Sequence, residues 1–268
     1  ITIDGAVNND VFAASSSAIT PGSGANTQPV SLDAIQEIQV VLAPYDITYG
    51  NFTGAGVNAI TRSGTNKVEG SVYGFGRNQN TTGKQPNGVK STDFTNYQYG
   101  VRLGGPIIKD KLFFFVNADF GRVKAPTLLN AGEPSALLTV AQAQEISNFV
   151  KTTYGYDVGS YGPTDNLTES DKLFARIDWN INKNHQLMLR HNYIKAFDDV
   201  FSRTQTSFKF GNNGGRNRSN QNISVLELRS KISPSVSNNL LFGYSRVRDA
   251  RGTSGALFPH VQINSFNG

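Results

Sequence analysis

Apolar and polar residues alternate with period two through most of the chain from Lys67 onward. Successive residues of a strand point to opposite faces, so such alternation predicts strands with one apolar and one polar side. The pattern predicts seven of them, over 67–78, 94–105, 111–122, 171–182, 185–197, 220–233 and 238–250. In 171–182, Leu173, Ala175, Ile177, Trp179 and Ile181 share one face, opposite Phe174, Arg176, Asp178 and Asn180. In 111–122, Leu112, Phe114, Val116, Ala118 and Phe120 oppose Phe113, Phe115, Asn117 and Asp119. In 94–105, Tyr97, Tyr99, Val101 and Leu103 oppose Gln98, Gly100 and Arg102.

The gaps between these segments alternate strictly. Short ones, at 106–110, 182–184 and 233–237, are interleaved with long ones, at 79–93, 123–170 and 198–219. A soluble sandwich has no reason to place every short turn at one end, whereas an outer-membrane barrel has short periplasmic turns and long extracellular loops. Strand length agrees, since about 9–11 tilted residues cross the hydrocarbon layer. The expected fold is therefore all-β: an antiparallel transmembrane β-barrel whose apolar faces meet lipid and whose polar faces meet the lumen. Tyr97, Trp179 and Tyr193 are the candidates for interfacial girdles. The last segment fits less well, because Arg246 shares the face of Leu240, Phe242 and Tyr244 and must sit near an interface. Seven is an odd number and single-chain bacterial barrels close with an even one, so residues 67–250 are expected to form a contiguous meander within a larger barrel.

Residues 1–30 are small and polar, with a serine cluster at 15–17 and Pro21-Gly-Ser-Gly24. Ser31 is placed to N-cap a short helical turn, Leu32-Asp33-Ala34-Ile35, and Ile38, Val40 and Leu42 then alternate as a short strand ended by Pro44. A glycine-rich run extends from Tyr49 to Gly64. Within the longest gap, Val140, Ala143, Ile146, Phe149 and Val150 recur at helical spacing, predicting a helix over 139–153.

Composition narrows the chemistry. The 268 residues contain no Cys, which excludes disulfides, thiolate metal sites and a Cys nucleophile. Net charge is +5, but 25 basic and 20 acidic residues are interspersed and no run collects the clustered charge of a nucleic-acid face. Arg216 and Arg218 fall in a Gly/Asn-rich stretch read as loop, and Asp198 and Asp199 at a solvated loop start. His185 and His191 stand six residues apart, about 20 Å along a strand, too far to share a metal. No nucleophile elbow, zinc helix, P-loop or calcium loop is present. The residues support neither an enzyme nor a cofactor site.

The chain opens inside a strand-and-turn, Ile1-Thr-Ile-Asp-Gly5, and stops in a polar loop, so it reads as a segment of a longer protein. Residues 30–78 resemble the plug-to-barrel junction of TonB-dependent outer-membrane receptors. Ile35, Ile38 and Val40 match the apolar positions of the family pattern, and Pro44, Tyr49-Gly50, Gly54, Asn58 and Ile60-Thr61-Arg62 match its later, glycine-rich part. The chain departs where the pattern has Glu, with Gln36 and Gln39, and where it has Arg-Gly, with Leu42-Ala43. Those departures, with Ile1–Phe12 (including Asp4 and Gly5) and LGGPIIKDKLFFFVNADF at 103–120, are similar to the Oar-like subgroup.

The resemblance implies a 22-stranded barrel occluded by a plug, with residues 1–66 the end of the plug and 67–268 the first barrel strands and loops. It implies TonB-dependent import of a scarce, bulky solute across a Gram-negative outer membrane. The implied partners are the TonB–ExbB–ExbD complex acting through an upstream box, outer-membrane lipid and an unidentified solute, without nucleic acid. Two other readings stay open: a non-importing surface anchor or adhesin, and a barrel associated with protein export, with an accessory lipoprotein or secretion machinery as partner. The residues singled out in the plug motif are Asp4, Gly5, Pro44, Tyr49, Gly50, Gly54, Gly56, Asn58, Thr61 and Arg62. Polar residues expected to face the lumen are Arg102, Asp119, Arg176, Asp178 and Arg190.

Overall fold

A computed structural model describes residues 1–10, 20–42, 55–84, 88, 90 and 92–259. Two sheets account for most of them. The smaller contains β1 (Thr2–Ile3), β2 (Ala6–Val7), β3 (Ile35–Leu42) and β4 (Ala55–Thr61), in the order β2-β1-β4-β3. Asp4 and Gly5 join β1 to β2 with φ of 46° and 77°. An Asp-Gly pair with both residues at positive φ matches the twist of a two-residue hairpin. β1 then runs parallel to β4, with Ile3 opposite Ala59. Ser31 does begin a turn, the single 3₁₀ turn Leu32–Ala34, but its side chain makes no cap; its carbonyl accepts from the Ala34 N–H at 3.1 Å.

The larger sheet is a seven-stranded antiparallel meander. It contains β5 (Glu69–Asn78), β6 (Thr95–Ile108), β7 (Leu112–Pro126), β8 (Asp165–Asn182), β9 (His185–Val200), β10 (Gly215–Ser233) and β11 (Val236–Thr253). Each strand neighbours the next in sequence, and β5 and β11 are the two edges, so the sheet does not close on itself. All seven segments expected from the alternation are strands. Six of them run further than the alternation did, while β5 starts two residues later than expected, at Glu69. β10 begins at Gly215, which puts Arg216 and Arg218 in a strand rather than a loop, and β9 continues through Asp198 and Asp199. Polar cross-strand pairs hold these ends: Arg216 forks onto Asp199 at 2.5 and 2.9 Å, and Thr168 donates to Asp198. Neither aspartate is a solvated loop start.

Burial follows parity. Phe115, Asn117 and Asp119 on β7, Ser170, Lys172 and Phe174 on β8, and Met188, Arg190, Asn192 and Ile194 on β9 are buried, while Val116, Leu173, Ile177, Trp179 and Leu189 between them are exposed. The buried side faces the small sheet. Ile3, Val30, Ala34 and Ala59 pack there against Phe115 and Phe174, whose rings meet edge-on at 6.1 Å. Leu240, Phe242 and Tyr244 on β11 are also exposed. An exposed apolar face of this extent is a liability in water and the requirement in hydrocarbon.

Two glycines explain how β5 and β6 pack. Tyr73 stands opposite Gly100 and Tyr97 opposite Gly76 on the shared ladder, with the two rings on opposite faces of the sheet. A Cβ on Gly100 would lie 2.5 Å from the Tyr73 hydroxyl, and one on Gly76 2.9 Å from the Tyr97 ring. Each ring lies across the strand only because its partner has no side chain.

The described chain forms two compact units. The first holds residues 1–124, 167–198 and 217–250, and so contains the small sheet; the second holds 125–166, 199–216 and the residues from Arg251 onward. The second contains helix α1 (Val140–Tyr154), opened by a Thr139–Gln142 capping box and closed by Gly155 at φ 67°. Its apolar stripe is not a buried face: Ala143 is buried, but Val140 and Phe149 are exposed, the latter edge-on to Tyr154 at 6.2 Å. The same unit buries Arg203 between the rings of Phe201 and Phe208, at 4.9 and 4.8 Å, where its guanidinium donates to Ser160, Gly162 and Lys209 carbonyls and to Asn130. Burial pushes that guanidinium's pKa down, with Glu133 opposing.

Candidate functional site: the contact between the two sheets

The two sheets meet, within the first unit, through ionic, neutral and apolar contacts. The ionic centre is Asp4. Its turn aims the carboxylate at the end of β4, where it accepts from the Thr61 N–H and hydroxyl, both at 2.8 Å. The same carboxylate pairs with Arg190 at 2.9 Å and Arg176 at 3.5 Å. Arg176 and Arg190 stand directly opposite each other on β8 and β9, so the ladder places two cations side by side. Unlike charge between them turns that repulsion into attraction. Arg176 also forks onto Asp178, at 2.7 to 3.1 Å, and donates to the Thr61 carbonyl and hydroxyl at 3.1 and 2.8 Å. Arg190 donates to the Ile3 carbonyl at 2.7 Å. The Asp4 and Arg190 side chains are only 7% and 2% exposed. Planar guanidinium forks suit this multidentate work in a way a lysine ammonium does not.

A second ion pair joins Asp33, just before β3, to Arg102 on β6 at 3.2 Å. Neutral hydrogen bonds hold the segment between. Thr27 and Ser170 hydroxyls meet at 2.7 Å, Asn192 donates to the Pro29 carbonyl at 2.6 Å, and Asn217 donates to the Gly24 carbonyl at 2.8 Å. The Gly22 N–H donates to Asp249 at 3.2 Å. That contact puts the odd residues of β11 toward the small sheet, and Arg246 with Leu240, Phe242 and Tyr244 on the other side.

Of the residues singled out from sequence, Asp4, Thr61, Arg176, Asp178 and Arg190 meet in one cluster. Asn58 braces the same hairpin, its side-chain oxygen accepting from Thr2 Oγ1 at 2.8 Å and the Gly5 N–H at 3.4 Å. Arg62 donates its backbone N–H to Ala34 at 2.8 Å, and Gly56 pairs with Val41. Asp119 lies apart from the cluster. It accepts from Tyr73, from Gln98 at 2.9 Å and from Lys172 at 3.4 Å, all on the large sheet. Beside it is a cavity of about 320 Å³ walled by Thr27 and Gln28 on one side and Gln98, Asp119 and Lys172 on the other. Pro44, Tyr49, Gly50 and Gly54 lie outside the described residues.

Sequence reasoning missed Asp33, Thr27, Ser170, Asn192 and Asn217. Asn192 has the parity of Arg190 and was legible on that ground; Asp33 lies in the turn expected after Ser31, and Thr27, Ser170 and Asn217 lie in stretches read as loop. His185 and His191 each hydrogen-bond a serine on β10, Ser230 at 2.9 Å and Ser224 at 2.8 Å. Among the described residues no group of three or more His, Asp or Glu is arranged to hold a metal ion.

Comparison with known proteins gives this arrangement a context. The model of the outer membrane beta barrel domain family matches residues 60–156 and 139–268. The TonB-dependent transporter Oar of Myxococcus xanthus is 32% identical over 139 residues, covering 48% of this chain and 12% of that protein. The outer membrane transporter YddB of Escherichia coli superposes with a TM-score of 0.61 at 10% identity, over 94% of this chain and 32% of its own. The ferric enterobactin receptor PfeA of Pseudomonas aeruginosa gives 0.55 at 13% identity, over 92% of this chain and 32% of its own. The chain thus spans about an eighth of the length of its curated relative and a third of these solved structures. Long period-two strands, a one-sided apolar face and a family match over residues 60–268 lead to one assignment: the chain belongs to the outer membrane beta barrel domain family and resides in the outer membrane.

Proposed function

We propose that the protein of which this chain is part imports a bulky solute across the outer membrane, with residues 1–66 forming the end of a plug and 67–268 the first barrel strands. The observation that carries this reading is the contact between the sheets. A surface anchor has no use for a second sheet fixed to its inner wall by a buried aspartate, two arginines and a row of neutral hydrogen bonds. A plug has two requirements that this chemistry meets, tight seating at rest and contacts that water can replace on release. Energy input comes, by resemblance, from the TonB–ExbB–ExbD complex pulling on a box upstream of Ile1. Arg102, Arg176, Asp178 and Arg190 are then seating residues, while Asp119 and Lys172 border the polar cavity beside the plug.

The test is made on the full-length protein in its own outer membrane. A panel of solutes taken up by wild-type cells is compared in a strain lacking the protein, to find the one that depends on it. Removal of the upstream box or of TonB is expected to abolish that uptake while leaving the folded barrel in the membrane. Uptake that persists without TonB refutes energised import; a strain with no uptake defect at all supports the anchor or export readings.

A further inference from the structure

Strand β3 of the small sheet has two unlike sides. Glu37 and Gln39 share one, joined by a side-chain hydrogen bond of 3.1 Å, and Ile38, Val40 and Leu42 share the other. The ladder identifies that second side. Ile38 stands opposite Ala59 and Val40 opposite Val57, and Ala59 belongs to the core cluster with Ile3, Phe115 and Phe174. The apolar row therefore continues the face that packs on the large sheet. It is nevertheless bare: Ile38, Val40 and Leu42 are 53%, 60% and 77% exposed, increasingly so away from the core.

The order of contacts shows where the row points. The β1 hairpin reaches Arg190 on β9, the end of β4 reaches Arg176 on β8, and Asp33 ahead of β3 reaches Arg102 on β6. The small-sheet order β1-β4-β3 thus tracks the large-sheet order from β9 toward β6. Beyond β6 lies only β5, an edge strand with an unpaired ladder among the described residues. On β5, Phe75 has the inward parity of its partner Gln98 and is also exposed. Apolar side chains of β3 and β5 thus lie on the inner side toward the β5 edge, one of the two edges at which the large sheet is open.

We infer that the Ile38–Val40–Leu42 row is the docking surface for later barrel strands of the same polypeptide, those that pair onto the free edge of β5, and that these strands turn apolar residues inward there. This rests on reading residues 1–66 as the plug. The occupant follows from continuity with the existing core and from length, since the matched solved structures are about three times as long as this chain. The plug is then seated asymmetrically, by charge on its β1 side and by a dry apolar contact on its β3 side.

The test places the photo-crosslinking residue p-benzoyl-phenylalanine at Val40, and at Gln39 as the opposite-face control, in the full-length protein in resting cells. Mass spectrometry then identifies the linked peptides. The Val40 position is expected to link predominantly to peptides following residue 268, in several-fold excess over the Gln39 position. Links to residues upstream of Ile1 or within 1–268, equal yields from both positions, or no link overturn the inference. Because a bulky probe can disturb folding, Val40→Cys and Gln39→Cys are compared in parallel. Maleimide is expected to label the Val40 variant several-fold more slowly, and equal rates count against the docking. Neither readout requires transport, so failure here leaves the import reading standing, and loss of TonB dependence leaves the crosslink standing.

Discussion

Asp4→Asn isolates the ionic centre, because it removes one charge and almost no volume. The asparagine oxygen can still accept from Thr61, so the hairpin keeps its shape. Arg176 keeps Asp178, its forked partner at 2.7 to 3.1 Å. Arg190 fares differently: at 2% exposure it is left with the Ile3 carbonyl and no carboxylate. Orphaning one member of a buried pair costs about 3–5 kcal/mol. At about 1.4 kcal/mol per factor of ten, and with residues 1–66 read as the proposed plug, the ratio of unseated to seated plug rises on the order of 10²–10⁴-fold. The assay is exclusion of vancomycin, a solute too large for ordinary pores, by cells producing the full-length protein, with folded barrel quantified alongside. Asp4→Asn is expected to sensitise the cells without lowering the amount of folded barrel. Adding Arg190→Met removes the orphan charge, leaving an unpaired Ile3 carbonyl at about 1–3 kcal/mol, so the double variant should recover part of the exclusion. Wild-type exclusion by Asp4→Asn, or a double variant as leaky as the single, would refute the argument.

Ile177, opposite Leu189 and exposed on the apolar face, should not tolerate charge: Ile177→Arg near the bilayer midplane costs about 2–4 kcal/mol and is expected to reduce heat-modifiable folded barrel, whereas Arg176→Gln on the other face should assemble normally and weaken only exclusion. Equal assembly yields for the two would show that the faces are misassigned. Gly100→Ala forces a Cβ to within 2.5 Å of the Tyr73 hydroxyl and 2.7 Å of the Ala118 carbonyl, so it should lower the guanidinium midpoint of the folded barrel by the equivalent of about 1–3 kcal/mol; an unchanged midpoint contradicts the packing described. Thr139→Ala removes the capping box of α1 at a cost of about 1 kcal/mol, and faster limited proteolysis within 140–154 is the expected sign, with unchanged cleavage the refuting one.

The large sheet was legible because lipid on one face and a polar interior on the other impose a two-residue period that few other environments sustain over so many residues. Where that period lapses, strands go unseen. The polar stretch from Asp165 to Ser170 shows no apolar alternation, yet it pairs with β9 as far as Thr168 opposite Asp198. Gly215–Arg218 was hidden in the same way. The small sheet was harder for another reason. β1 and β2 are two residues each, too short to show any period, and they exist because β4 supplies a neighbour from far along the chain. Parity singles out Arg102, Arg176 and Arg190 as facing away from the apolar side, but no local pattern says which acid they meet. Gln36 and Gln39 stand where the family pattern has Glu, and the carboxylates ahead of β3 that do meet large-sheet arginines are Asp4 and Asp33.

That relocation bears on how a plug of this kind responds to force. Under the proposed reading, tension from a box upstream of Ile1 enters through β1, whose parallel pairing among the described residues is Thr2 with Asn58 and Ile3 with Ala59. So short a ladder cannot carry load on its own, and the next anchor along the chain is Asp4 with its two arginines. The neutral contacts from Gly24 to Pro29 come later, and each is a bond that water replaces at a net cost of only about 0.5–1.5 kcal/mol. An ionic anchor behaves otherwise, because separating it leaves Arg190 in a buried place without its counter-charge. Water must reach that arginine before the two charges can part. Resistance is thus concentrated at the point where force arrives, and weakens beyond it. A plug fixed this way stays closed against small fluctuations and yields in one step once Asp4 is drawn out and the pair is solvated.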